Sequence, residues 1–161
     1  MLSIPIPIKE DSGLKFCELT YQGISYIEIL KMLNPKMYET YKYCHLDPDI
    51  RQNIRKVDSR WKAAFGQISS SETHLENQGV GIGDVFLFFG WFKETEFNNG
   101  ILQYKENALD KQVLFGYLQV GEIYKGNSIK TIDWPLILIN CFLIRRIILY
   151  NICSKRCIYA R

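Results

Sequence analysis

Histidine is scarce in this chain of 161 residues: only His45 and His74 occur. Neither stands in a repeated ligand spacing such as CxxC or HExxH, so no metal site is expected. No GxxxxGK[ST] run occurs anywhere, which removes the P-loop nucleotide hydrolases. The five cysteines (Cys17, Cys44, Cys141, Cys153 and Cys157) are odd in number and irregular in spacing, a poor disulfide framework. The start, "MLSIPIPIKEDSG", lacks a basic segment followed by a long apolar one, so no secretory signal is read there. Reduced thiols in a cytoplasmic compartment are therefore expected. The longest apolar run, Pro135 to Ile144, contains Asn140 and meets Arg145-Arg146 too soon to cross a bilayer, so no transmembrane segment is expected.

What is present is ordinary globular composition, with 47% apolar and 23% charged residues in a length that suits one domain. Aromatics at 14% favour a strand-rich core or a stacking surface. The net charge of +3 is unevenly spread. Residues 135–161 hold Arg145, Arg146, Lys155, Arg156 and Arg161 and no acid. Residues 1–134 carry 15 basic against 17 acidic residues, so their charge gives no argument for nucleic-acid binding. The Ile-, Leu-, Arg- and Cys-rich tail has the composition of an AT-rich gene read out of frame. The expected organisation is a domain over 1–134 and an atypical apolar, basic tail over 135–161.

Along the chain, "LSIPIPI" (2–8) reads as an extended edge segment, since proline cannot donate to a ladder. "KFCELTYQG" (15–23) reads as a short strand closed by a glycine turn. "SYIEILKML" (25–33) has helical spacing at Ile27, Leu30 and Leu33 and stops at Asn34-Pro35. In "HLDPDIRQNIRKVD" (45–58), Asp47 as N-cap and Pro48 at the first helical position predict a helix. "SSSETHLENQG" (69–79) predicts another, opened by Ser69 and Glu72 and ended by Gly79. "DVFLFFGWF" (84–92) is apolar on both faces and reads as a buried central strand. The polar stretch 93–111 reads as a loop with a short helical turn. "QVLFGYLQVGEIY" (112–124) reads as a second long strand with glycine bulges.

The most distinctive block is "HLENQGVGIGDVFLFFGWF" (74–92). Its GxGxG precedes a strand, whereas a dinucleotide-binding loop follows a strand and opens a helix. The glycines therefore read as a helix stop and a bend into a strand. His45 with Asp47, and His74 with Glu76, could supply acid–base chemistry if they converge. "RWKAAFGQ" (60–67) sets Arg60 beside Trp61, with Phe65 and Gln67 following. A cation next to an aromatic suits base stacking and a phosphate contact. The plainer reading makes Trp61 and Phe65 a core pair on a helical turn, leaving Arg60 and Gln67 open. Trp91 either lines a pocket or packs in the core.

Taken together, "CHLDPDI", "RWKAAFGQ", "THLENQGVGIGDVFLFFGWF" and "VLFGYLQVGEIY" resemble the third family of nucleotide modification associated domains, over roughly residues 2–134. The resemblance implies a role beside base-modification systems of bacterial and phage DNA. Set against the family pattern, an opening strand is missing before Met1, and the apolar tail stands where a polar, histidine-containing segment is usual. A chain truncated at both ends is thus expected. "GIGDVFLFFGWF" followed by "VLFGYLQVGEIY" also resembles the paired strands of PUA-like barrels, which bind flipped or modified bases between barrel and helices.

The expected fold is α+β: a small mixed or antiparallel β-barrel, PUA-like, with flanking helices. The expected function is recognition or processing of a nucleotide or modified DNA base, with other enzymes of the modification pathway as partners. Arg60, Gln67, His74, Glu76, Asn77 and Trp91 are the candidate nucleotide-binding residues. An alternative is a base-modifying enzyme using His45, Asp47 and His74 as acid–base or metal groups. A third reading is a non-functional gene fragment. The sequence implies no particular cofactor.

Overall fold

The computed structural model describes residues 2–57, 59–67 and 69–125, and the backbone of 142–145. Most of the atypical tail therefore lies outside the described residues. The fold is α+β, built from small antiparallel sheets and a few short helices. No closed barrel forms among the described residues. None of their helices is long and apolar enough to cross a membrane. The described residues divide into two compact units, one drawn from 2–45 and 88–115, the other from 46–87, 116–125 and 142–145.

In the first unit, β1 (Ile6–Ile8) pairs antiparallel with a later strand, and Pro7 sits in it as an edge-type position allows. The segment 15–23 differs from the simple strand expected. A 3₁₀ turn (Phe16–Glu18) leads into a tiny hairpin, β2 (Thr20–Tyr21) with β3 (Ile24–Ser25). Helix α1 (Tyr26–Leu33) starts where Ser25 accepts the Ile27 N–H and Glu28 reaches back to the Ser25 N–H. Its buried stripe is Tyr26, Ile29, Leu30 and Leu33, so Ile27 lies at the margin of the face, not at its centre. Asn34 ends α1 and caps α2 (Pro35–Thr40) by accepting the Met37 N–H. Strand β4 (Tyr43–His45) then pairs with β1, His45 opposite Ile6.

The second unit contains the largest departure from expectation in its first residues. Asp47-Pro48 does not open a helix; the peptide is cis, and only a 3₁₀ turn (Gln52–Ile54) forms. The backbone of Asp49 exchanges both hydrogen bonds with Ala64, at 2.8 and 2.9 Å, which withdraws it from any helical ladder. "RWKAAFGQ" correspondingly ends in a strand, β5 (Ala64–Gln67), not a helical turn. Helix α3 (Ser69–Asn77) follows. Its C-terminus is held by Gly79 N–H to Glu76 C=O and Val80 N–H to Leu75 C=O, with Gly79 at φ +68°. That pair of bonds is a Schellman closure, which requires the left-handed residue that glycine supplies.

Strand β6 (Val85–Phe92) exists as expected but is not buried on both faces. Phe88 and Phe92 are buried, at 9% and 1% exposure, whereas Val85, Leu87, Phe89 and Trp91 are all more than half exposed. Alternation puts the two sets on opposite faces of the strand. The stretch after it is not a loop: β7 (Thr95–Asn98) and β8 (Ile101–Tyr104) form a hairpin in the first unit, with α1 against β8. Asn99 and Gly100 turn it with φ of +51° and +81°, the two-residue geometry favoured by the twist of a hairpin. Residues 112–124 form two strands, β9 (Lys111–Gln119) and β10 (Glu122–Tyr124), broken at Val120-Gly121.

Strands β6 and β9 pair, and this pair contributes residues to both units. Within the first, Phe115 packs against Phe88 and Phe92 at 6.2 and 5.8 Å. Within the second, the Gly83 N–H donates to Val120 C=O and the Gln119 side chain to Gly83 C=O. Asp84 accepts the Gly81 N–H at 2.8 Å. The glycine run thus makes a helix stop and a turn into β6, as its position before a strand predicts. The second unit is completed by the backbone of β11 (Phe142–Arg145), antiparallel between β10 and β5.

Candidate functional site

A cleft of about 360 Å³ opens in the second unit, lined from β5, α3 and β6. Strand alternation builds one wall. Ala64 and Gly66 of β5 are buried, so Phe65 and Gln67 share the opposite face and both line the cleft. Phe86 of β6 meets Phe65 with ring centroids 5.1 Å apart and planes at 53°, a tilted aromatic pair. Helical spacing builds the other wall. Ser70, Ser71, His74 and Leu75 stand at i, i+1, i+4 and i+5, one face of α3. The cleft therefore offers an apolar aromatic wall, a carboxamide with donor and acceptor side by side, two hydroxyls and an imidazole.

Strand β5 is held in place by an ionic cluster that no local pattern in the sequence announces. Asp49 is 7% exposed. Arg55 donates to both its carboxylate oxygens, at 3.0 and 2.6 Å, and the Trp61 indole N–H adds a third bond at 3.1 Å. The bidentate fork and the indole supply the partners that a buried carboxylate needs. Two residues earlier, Asp47 Oδ1 accepts the Gly66 N–H at 3.2 Å. Burial raises the Asp47 carboxyl from its ordinary 3.8 to about 6, against the opposing pull of that N–H. The short segment 47–49 thus lies along β5, gripping it at Ala64 and Gly66, on either side of Phe65.

Of the candidate residues read from sequence, Gln67 and His74 come together in the cleft. Glu76 and Asn77 share α3 with His74 but do not line it; Glu76 instead receives Lys125 Nζ at 2.5 Å, and Asn77 is exposed at the helix end. Arg60 is exposed in the turn before β5, outside the lining. His45 and Trp91 belong to the first unit, His45 with its imidazole pKa lowered by burial and Trp91 more than half exposed. Trp61 and Phe65 do not form a core pair on one turn: Trp61 is buried on Asp49, and Phe65 faces the cleft. Among the described residues no group of three or more His, Cys, Asp or Glu side chains is placed to hold a metal ion. Ser70, Ser71, Leu75 and Phe86 were missed from sequence, although the i, i+4 spacing of Ser70 and His74 could have signalled one shared face.

No curated protein and no solved structure gives a significant match to the chain. A family model does match, that of the nucleotide modification associated domain 3, over residues 1–136 of the 161. By that match over most of its length, and in keeping with the motif block from His74 to Phe92, the chain belongs to the nucleotide modification associated domain 3 family.

Proposed function

We propose that this protein recognises a nucleotide or modified base within a nucleotide modification pathway, and that the β5–α3–β6 cleft is where it does so. Family membership supports the general role in nucleotide modification. The observation that carries the specific reading is the pairing, in one cleft, of the Phe65–Phe86 aromatic wall with the Gln67 amide and the α3 hydroxyls. A heterocyclic base has an apolar face to stack and a polar edge to pair, and the cleft supplies a counterpart for each. Other enzymes of the pathway are the natural partners of such a reader. Phe65→Ala should weaken binding of single-stranded oligodeoxynucleotides or free deoxynucleosides by about 5- to 150-fold, the value of ~1–3 kcal/mol for a stacked base. Unchanged affinity in a folded Phe65→Ala protein would remove the cleft from the mechanism.

A second reading, a base-modifying enzyme, draws on one observation: the Asp47 carboxyl is held near 6, in the range useful to an acid or base at neutral pH. His74, in the cleft of the same unit, is the imidazole it would enlist. His74→Ala separates the two readings. A reader loses part of its affinity, whereas an enzyme loses turnover by orders of magnitude, measured by mass spectrometry of DNA nucleosides with and without the protein.

A further inference from the structure

We infer that the cleft takes the uncharged base of an unpaired nucleotide, stacked on Phe65 and read along its edge by Gln67, while the phosphates stay outside. This rests on the base-binding reading above and deepens it by naming the part of the nucleotide that is held.

Three observations carry the inference. First, the described side chains that line the cleft are aromatic, aliphatic, hydroxyl, carboxamide and imidazole; none is a lysine, arginine or carboxylate. Glu76 of α3 pairs with Lys125, and both lie off the lining. A phosphate is recognised chiefly by Arg and Lys, which deliver both charge and donors. The N-terminal turn of α3 does not replace them, because Glu72 already sets a negative charge there.

Second, Phe65 and Gln67 are two residues apart on one face of β5, about 6–7 Å along the strand. That separation matches a ring lying on Phe65 with its hydrogen-bonding edge turned toward the Gln67 amide. The amide presents one donor and one acceptor side by side, the complement of the donor–acceptor edge of a base. Inside a duplex that edge is paired and both faces are stacked, so the cleft's two contacts require a base that has left the helix or was never in one. Third, about 360 Å³ is near the lower end of the ~300–1,000 Å³ spanned by small-molecule sites. It suits one heterocycle with its sugar, not two stacked nucleotides.

The test is titration calorimetry on the full chain with deoxynucleosides, including 5-methyl- and 5-hydroxymethyldeoxycytidine, and with their 5′-monophosphates, in 50 and 200 mM NaCl. The same sequence is then offered as a single-stranded and as a fully paired oligonucleotide. Nucleoside and monophosphate should bind within about threefold of each other. Each phosphate contact would itself cost about threefold across that salt interval, so a flat salt response for the monophosphate is expected. The single strand should bind more tightly than the duplex, and Gln67→Leu should lose about 5- to 150-fold, the worth of a bidentate edge contact of ~1–3 kcal/mol. A monophosphate preferred by tenfold or more, a threefold salt loss, or equal binding of the duplex would overturn the inference while leaving base binding intact. No binding of any of these probes would defeat the base-binding reading itself, and the inference with it.

Discussion

Replacing Asp47 with asparagine should stabilise the protein above neutral pH and do nothing measurable near pH 4. Burial displaces the Asp47 carboxyl upward, from 3.8 to about 6, even though the Gly66 N–H at 3.2 Å favours its charged form. The native state at pH 8 therefore carries a carboxylate that the unfolded chain would hydrate more fully. At about 1.36 kcal/mol per pKa unit, a displacement of about two corresponds to about 3 kcal/mol. Asp47 is only half-buried, so water screens part of this, and about 1–2 kcal/mol is the working figure. A raised pKa favours folding fully below about pH 4, where both states hold the proton, and that contribution disappears as pH climbs through 6. Asparagine has the shape of the acid, keeps Oδ1 as an acceptor for Gly66, and carries no charge.

Urea titrations at pH 4 and pH 8, followed by tryptophan fluorescence, give the answer directly. With a slope of about 1–3 kcal/mol per molar, the midpoint at pH 8 should rise by roughly 0.5–1 M in the variant. The slope itself should not change, since no surface is newly exposed. Loss of stability at pH 8 would show that the carboxylate is a net support of β5 and that its desolvation had been overcounted. An equal effect at both pH values would mean that charge is not the variable.

Arg55→Met strands the buried Asp49 carboxylate and should cost about 3–5 kcal/mol in the same assay. The double variant Asp49→Leu/Arg55→Met should cost less than that, since among the described residues it is the Trp61 N–H that then lacks its partner, at about 1–3 kcal/mol. Gly100→Ala forces an L-residue to φ +81° and should lower stability by about 1–2 kcal/mol, whereas Asn99, at +51°, should tolerate Asp. Leu87→Thr and Trp91→Thr should each move stability by less than about 0.5 kcal/mol, as thermal melts will show, because both side chains are more than half exposed.

Local signals in this chain were readable wherever one short segment carried both the cause and its effect. Asn34-Pro35 stops α1 and starts α2 within two residues. Gly79 closes α3 through its own N–H to Glu76, three positions back, and the Val80 N–H to Leu75. Asn99-Gly100 was equally local, and the reading of 93–111 as a loop overlooked a strong hairpin signal between two short apolar segments. Asp47-Pro48 failed for the opposite reason. An acid followed by proline is a good helix start in isolation, but the next residue pairs with Ala64, fifteen positions on, and that ladder takes the backbone groups a helix would use. Composition also misled at β6. Eight apolar residues in a row announce that both faces are apolar; whether both are covered depends on a second layer, which no strand contains in its own sequence.

The same distinction explains which parts of the site could be read. His74 and Gln67 belong to segments whose helix and strand have clear periods, so their faces follow from position alone. Phe86 required knowing that β6 runs beside β5's face, a tertiary fact. The Asp49–Arg55–Trp61 cluster spans separations of six and twelve residues in a segment with almost no regular structure, so no period links its members. Yet it bears on the site as much as any lining residue does. Asp49 and Asp47 grip β5 at Ala64 and Gly66, and Phe65 lies between those two points. A cleft that stacks a ring on one side chain and reads its edge with another needs the two fixed within a fraction of an ångström. A strand anchored on both sides of Phe65 meets that need. This is a physical reason for a domain with small sheets and short helices to keep a buried carboxylate, despite the desolvation it entails.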